Sequence, residues 1–342
     1  MNNKDVLLTG VTGFLGSHTA IQLLNKGFHV VGTLRSKDRV KSIKDVIARY
    51  TENIDNLRFA EADLSDSDIW FELTKNIDYV QHIASPFPRE LPKRENDLIV
   101  PAKQGTLNIL KASAKNKVKR VVMVSSSAAV LYGKTKRELN NVLNENDWTD
   151  ETNLKDTTPY FRSKTIAEKA AWDFIKQDNS GLELTTVLPG VILGTVLEKD
   201  FGTSANIVIK ILDNSLPALP KIGFDIVDVA SLADLLVKAM GSPQARGNRY
   251  IASAGYLTFK DVAQILKKQY PNRKIPTMEL TNLLTRLFSI FEPELKPILL
   301  ELEVRRKLEI SKAENELQWQ PVSVQQTVIN CAKSIFENGI VE

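Results

Sequence analysis

The chain reads as an α/β protein: a Rossmann-type, doubly wound parallel sheet with a smaller, helix-rich C-terminal lobe. Three observations lead there. Short β-branched runs alternate with helical periods through the first half, the pattern of a parallel sheet covered on both faces. A glycine-rich turn, TGVTGFLG, joins the first such run to the first helical stretch. The chain, at 342 residues, is also long for one compact unit, so a main domain plus a lobe is the expected organisation.

Taken in order, DVLLT (5–9) is the first strand, and FLGSHTAIQLLNKG is a helix stopped by Gly27. Further strands are expected at FHVVGT (28–33), LRFA (57–60), DYVQHI (78–83), RVVMVS (120–125) and ELTTVL (183–188). Several are apolar almost throughout, as burial on both faces requires. Thr158 is placed to cap a helix whose first position suits Pro159, and a helical period continues through AEKAAWDFIKQ. After Pro189 the rhythm loosens. RYIAS (249–253) reads as a returning strand and DVAQILKKQ as a helix, whereas TNLLTRLFSIFEPELKPILLELEVRRKL is helical but broken near Pro293 and Pro297. The division expected is 1–188 for the sheet domain, with 225–255 partly returning to it, and 189–224 plus 256–342 for the lobe.

Composition narrows the class. Hydrophobic residues make up 43% and charged residues 25%, ordinary for a globular protein. No apolar run approaches the roughly 18 residues that span a bilayer. The N-terminus enters a strand directly, so no secretory leader is expected. One cysteine, Cys331, precludes an internal disulfide and suits a reducing, cytoplasmic setting. The net charge of +4 is slight, and KNKVKR (Lys115 to Arg120) reads as a solvated helix end rather than a nucleic-acid patch. A monomer or homodimer acting on a small molecule, with no nucleic acid and no membrane, is expected.

The glycine turn carries Gly10, Gly13 and Gly16 between a strand and a helix. That order aims free backbone amides and the helix dipole at a pyrophosphate, and glycine lets the phosphates approach. Without a ligand it would be only a tight strand-to-helix turn. The end of the second strand discriminates between dinucleotides. An acidic residue there accepts from a ribose 2′-hydroxyl, but this chain has GTLRSKDR, with Arg35 near that position and Arg39 a helical turn on. Guanidinium groups clamp a 2′-phosphate, so NADP(H) is the expected cofactor. Asp63, after the third strand, could accept from the adenine amino group, with Leu64 beside it. Tyr160 and Lys164 lie four apart and would share a helix face.

Glycine loop, third-strand aspartate, serine-ended fifth strand and Tyr-x-x-x-Lys helix, in that order, resemble the extended short-chain dehydrogenase/reductases. Within them, TGVTGFLGSH, TLRS, HIASPF (His82 to Phe87), GTLNILKA, RVVMVSSSAAV, YFRSKTIAEKAAW and LPGVILG are similar to the aldehyde and ketone reductases. That branch includes dihydroflavonol 4-reductase, cinnamoyl-CoA reductase and methylglyoxal reductase. FEPELKPILLELE and LQWQPVSVQQTV carry the likeness into the tail.

The resemblance implies a reductase of aldehyde or ketone carbonyls using NADP(H). Tyr160 would donate the proton, while Lys164 would lower the phenol pKa and bind the nicotinamide ribose. A catalytic hydroxyl is implied after the fifth strand, where Ser125, Ser126 and Ser127 stand together; an ungapped match selects Ser126, whereas the epimerase pattern would favour Ser127. Phe14 and Leu15 would supply loop amides, Ala84 would pack on the cofactor ribose, and Pro189 would precede the backbone meeting the nicotinamide. Alternatives on the same scaffold are a nucleotide-sugar epimerase or dehydratase with retained NAD, or a non-catalytic NADPH-binding protein. The three histidines show no metal-ligand spacing, the tryptophans read as packing residues, and NENDWTDE (144–151) reads as a solvated loop.

Overall fold

A computed structural model describes residues 4–86, 94–199, 202–291, 297–302 and 304–342; Phe87 and Pro293 lie outside the described residues. The strands are β1 (Asp5–Thr9), β2 (His29–Leu34), β3 (Leu57–Glu61), β4 (Tyr79–His82), β5 (Arg120–Val124) and β6 (Val142–Leu143). They continue with β7 (Glu183–Pro189), β8 (Val191–Leu193), β9 (Gly223–Asp228), β10 (Arg249–Ala252), β11 (Tyr256–Thr258) and β12 (Lys307–Leu308). The first helices are α1 (Phe14–Asn25), α2 (Val40–Ala48), α3 (Ser67–Leu73), α4 (Asn96–Lys115), α5 (Ala128–Leu131) and α6 (Pro159–Gln177). The later ones are α7 (Asn206–Leu212), α8 (Val229–Gly241), α9 (Phe259–Gln269), α10 (Asn282–Phe291), α11 (Ser311–Leu317) and α12 (Val324–Glu337).

The main sheet has seven parallel strands in the order β10-β7-β5-β4-β1-β2-β3. It is the Rossmann-type sheet expected. Alternate residues of β1 show why its strands read as apolar runs: Val6 and Leu8 join the core under α1, α2 and α8, whereas Leu7 joins the opposite core with α3, α4 and α6. Every β1 side chain from Val6 to Leu8 is fully buried. The order of winding reverses between β1 and β4, which opens a crevice at their carboxyl ends.

A third core joins β8 and β9 to α7, α9 and α12. Strand β11 pairs antiparallel with β9, and β12 pairs with β6. Among the described residues, no helix is long and apolar enough to cross a membrane.

Two segments differ from their expected solvation. Arg120, at the end of KNKVKR, is buried, ion-paired to Glu183 and donating to the Ala239 and Met240 carbonyls. Its strand position carries it inward. In the 144–151 loop, Glu145 and Thr149 are buried, and the Glu145 carboxylate accepts from the Ile251 amide at 3.0 Å.

Glu301 and Arg306 are held by charge. Arg306, almost fully buried, donates to Glu301 at 3.0 Å and pairs with Asp156. Tyr132 donates to the other Glu301 oxygen at 2.6 Å, and its ring stacks on Phe161 with centroids 3.9 Å apart. Removing one member of a buried set strands the others without water. Arg306→Met is expected to lower the unfolding free energy by about 3 kcal/mol in urea titrations. Lys176→Met, which breaks an exposed pair with Asp173, should cost less than about 0.5 kcal/mol.

Candidate active site

Helix α6 begins as its sequence dictates. The Thr158 hydroxyl accepts from the Phe161 amide at 3.2 Å, and Pro159 fills the first turn, where a missing N–H costs nothing. Tyr160 and Lys164 then project from one face toward the end of β5.

The three serines after β5 have different fates. Ser125 is buried and donates to Glu168 at 2.6 Å. Ser127 is buried, and its amide donates to the Pro189 carbonyl at 2.9 Å. Ser126 alone of the three is partly exposed; its hydroxyl accepts from the Ala128 amide at 3.1 Å and hydrogen-bonds the Tyr160 phenol. The structure thus brings together Ser126, Tyr160 and Lys164, and places Ser127 at the start of α5 instead.

Burial governs the electrostatics. It pushes the Tyr160 phenol up to about 12, with the Ser126 hydrogen bond opposing. The net direction is opposite to that expected from an adjacent ammonium alone, because desolvation of the phenolate is the larger effect. Burial also brings the Lys164 ammonium down to about 8, with the Glu168 carboxylate opposing. Among the described residues, no hydrogen bond is made to that ammonium.

His82 lies beside it at the end of β4. Thr9 Oγ1 accepts from the Ile83 and Ala84 amides at 3.0 and 2.9 Å, leaving its own hydrogen for His82 Nδ1, 3.0 Å away. That network assigns the imidazole hydrogen to Nε2. Burial, with Lys164 nearby, takes the His82 pKa down to about 3.

The glycine loop fits a dinucleotide at the crevice. Gly10 has φ +74°, and a Cβ there would meet the Ala84 Cβ at 3.2 Å. A Cβ on Gly16 would lie 2.0 Å from the Gly10 carbonyl, so α1 can approach β1 this closely only with glycine. Gly13 caps α1 without a side chain, and the amides of Phe14 and Leu15 head the helix. Arg35 is exposed past β2 and makes no hydrogen bond or ion pair among the described residues. Arg39 differs: it donates to Glu198 at 2.8 Å and Ser42 at 3.3 Å, a partner 159 residues distant that no local pattern signals.

Asp63 lies after β3, its carboxylate accepting from the Ser65 hydroxyl and amide, which hold its pKa below the usual range. Leu64 sits under α4, where a Cβ on Gly105 would meet it at 2.9 Å. Pro189 closes β7, and the next residue, Gly190, passes against Asp225 so tightly that a Cβ would lie 2.3 Å from its carbonyl.

Two residues behind the site were not singled out in the sequence. Glu168, fully buried one turn beyond Lys164, accepts from Arg249 Nε at 2.8 Å, and the Arg249 guanidinium stacks on Trp148 at 3.7 Å. The available signal was spacing, since Tyr160, Lys164 and Glu168 recur every four residues.

The family model that describes the NAD dependent epimerase/dehydratase family matches residues 6–251. The chain belongs to that family. Anthocyanidin reductase of Vitis vinifera is 31% identical over 293 residues, 81% of this chain and 84% of that protein. Cinnamoyl-CoA reductase of Medicago truncatula is 31% identical over 79% of this chain and 82% of its own. Among solved structures, yeast methylglyoxal/isovaleraldehyde reductase complexed with NADPH superposes with a TM-score of 0.80 at 24% identity, covering 98% of this chain and all of that one. These relatives place the chain among the extended short-chain dehydrogenase/reductases, as a nicotinamide dinucleotide-dependent oxidoreductase.

A buried neutral histidine makes stability pH-dependent. The unfolded chain takes up a proton near pH 6.5, whereas folded His82 does not until about pH 3. Stability is therefore complete above 6.5 and declines as pH falls below it. His82 is expected to cost about 2 kcal/mol at pH 5 relative to pH 7.5. Urea midpoints across that range should slope less in His82→Gln than in wild type.

Proposed function

We propose that the protein reduces the carbonyl of an aldehyde or ketone with NADPH, using Ser126, Tyr160 and Lys164. The observation that carries this reading is the Ser126–Tyr160 hydrogen bond beside the buried Lys164, next to the crevice where Gly10 meets Ala84. Arg35, exposed just past β2 and near the Asp63 carboxylate, supports a 2′-phosphate and hence NADPH rather than NADH. Gly10, Gly13, Phe14, Leu15 and Gly16 would hold the pyrophosphate, Asp63 and Leu64 the adenine end, and Ala84 and Pro189 the nicotinamide half. Arg39 enters this set only if it leaves Glu198.

When bound, NADPH supplies hydride to the carbonyl carbon. The chain's own residues manage the oxygen. Ser126 orients it and shares the charge growing on it. Tyr160 supplies the proton, and a phenol with a pKa of about 12 is fully protonated at neutral pH. The phenolate left behind keeps the Ser126 hydrogen bond and faces the Lys164 ammonium, which remains mostly charged below its pKa of about 8.

NADPH oxidation against aldehydes, α-dicarbonyls and aromatic ketones tests the activity. Turnover with at least one class is expected, whereas none, or tightly bound NAD in the purified protein, would overturn it. Tyr160→Phe should lower kcat at least about a hundredfold while leaving NADPH affinity near wild type by fluorescence titration. Arg35→Asp should reduce the NADPH-over-NADH ratio of kcat/KM by about a hundredfold.

A further inference from the structure

Glu168 is the least exposed charged side chain around the site, with no accessible surface, yet neither oxygen lacks partners. One oxygen accepts from Thr186 at 2.7 Å, Arg249 Nε at 2.8 Å and Trp172 at 3.3 Å; the other accepts from Ser125 at 2.6 Å and the second Arg249 nitrogen at 3.3 Å. Arg249 and Trp172 can only donate, and the Arg249 guanidinium sets its fixed positive charge against both Glu168 oxygens. Apart from Trp172 of α6 itself, the donors come from three neighbouring strand positions: Ser125 just past β5, Thr186 in β7 and Arg249 in β10. One side chain therefore fixes the register of α6 against the sheet, next to the serine that meets Tyr160.

The same carboxylate stands four residues after Lys164. The groups that act on that ammonium are Glu168, from α6 itself, and His82, from β4; Tyr160 precedes it by one turn of the same helix. His82 and Tyr160 are neutral at pH 7. Arg249 approaches Glu168 from the β10 side, where its guanidinium also donates to the Glu145 and Asp147 carbonyls and lies on Trp148. Glu168 is thus the negative group facing Lys164 among the described residues.

We propose that Glu168 is a positioning residue with a second, electrostatic duty: it fixes α6 against β5, β7 and β10, and its negative charge keeps buried Lys164 protonated. This rests on the reading of Lys164 given above, but its decisive test does not need the reaction. Protein labelled with 13Cε-lysine is titrated by NMR, and the Lys164 resonance is identified by its loss in Lys164→Arg.

The wild-type midpoint is expected near 8. Glu168→Gln should move it down by at least about one pH unit. Because that change leaves the Arg249 charge buried without its carboxylate, Glu168→Gln with Arg249→Gln is measured alongside and should show the same downward shift. Ser125→Ala removes one hydrogen bond but no charge, and should leave the midpoint in place. An unshifted midpoint in the double variant overturns the proposal. So does a shift in Ser125→Ala as large as that in Glu168→Gln, or a double variant that does not fold, since each assigns Glu168 to structure alone. In an active preparation the alkaline limb of kcat should follow the NMR midpoint. Carbonyl inactivity with a shifted midpoint would remove the reductase reading and leave this one standing.

Discussion

A parallel sheet buried on both faces can present polar chemistry only at its strand ends. That constraint organises this molecule. Val6, Leu7 and Leu8 are consumed by the two cores, so β1 offers nothing until Thr9 and Gly10. There the winding reverses, and β4 delivers His82 and Ala84 to the same place. Thr9 joins them by binding the His82 ring and both following amides. The crevice floor is a small set of backbone and hydroxyl contacts, and glycine at positions 10 and 16 is the condition for their closeness.

Desolvation then sets the protonation states. Burial alone favours the neutral forms of both Tyr160 and Lys164. A neutral phenol suits a proton donor, but a neutral amine would leave nothing to receive the phenolate's charge. The fold opposes burial unequally, giving Tyr160 one hydroxyl partner and Lys164 a full carboxylate. An isolated Tyr-x-x-x-Lys pair on a surface helix would have neither the desolvation nor the correction.

The seven strands of the main sheet were legible within a residue or so because two-sided burial writes apolar runs directly into the chain, whereas the short strands β6, β8, β9, β11 and β12 carry no such run and were not read. The glycine loop, the α6 cap and the Tyr160–Lys164 pair were legible for a related reason: each is a local pattern with a fixed period. What sequence could not show was pairing at a distance. Ser125 and Glu168 are 43 residues apart, Glu168 and Arg249 are 81, and Arg39 and Glu198 are 159. In each case the residue type is visible and the partner is not, so Arg39 read as a phosphate ligand and the 144–151 loop as solvated. Which of three adjacent serines keeps a partly exposed hydroxyl was likewise set by packing that no local pattern shows.

The start of α6 shows how remote sequence reaches the site. Asp156 accepts from the Lys134 amide and pairs with Arg306, Thr157 accepts from Arg162, and Tyr132 stacks on Phe161 while donating to Glu301. Tyr160 lies within this frame, so residues 301 and 306 help to define where the phenol stands. Buried ion pairs contribute little net stability against an apolar alternative, because desolvation offsets most of their attraction. Their directionality is another matter: an apolar contact tolerates sliding, whereas a carboxylate between two fixed donors does not. The C-terminal segment is joined to the start of α6 by the kind of contact that transmits position, which explains why charge is buried here at a cost that leucine would not incur.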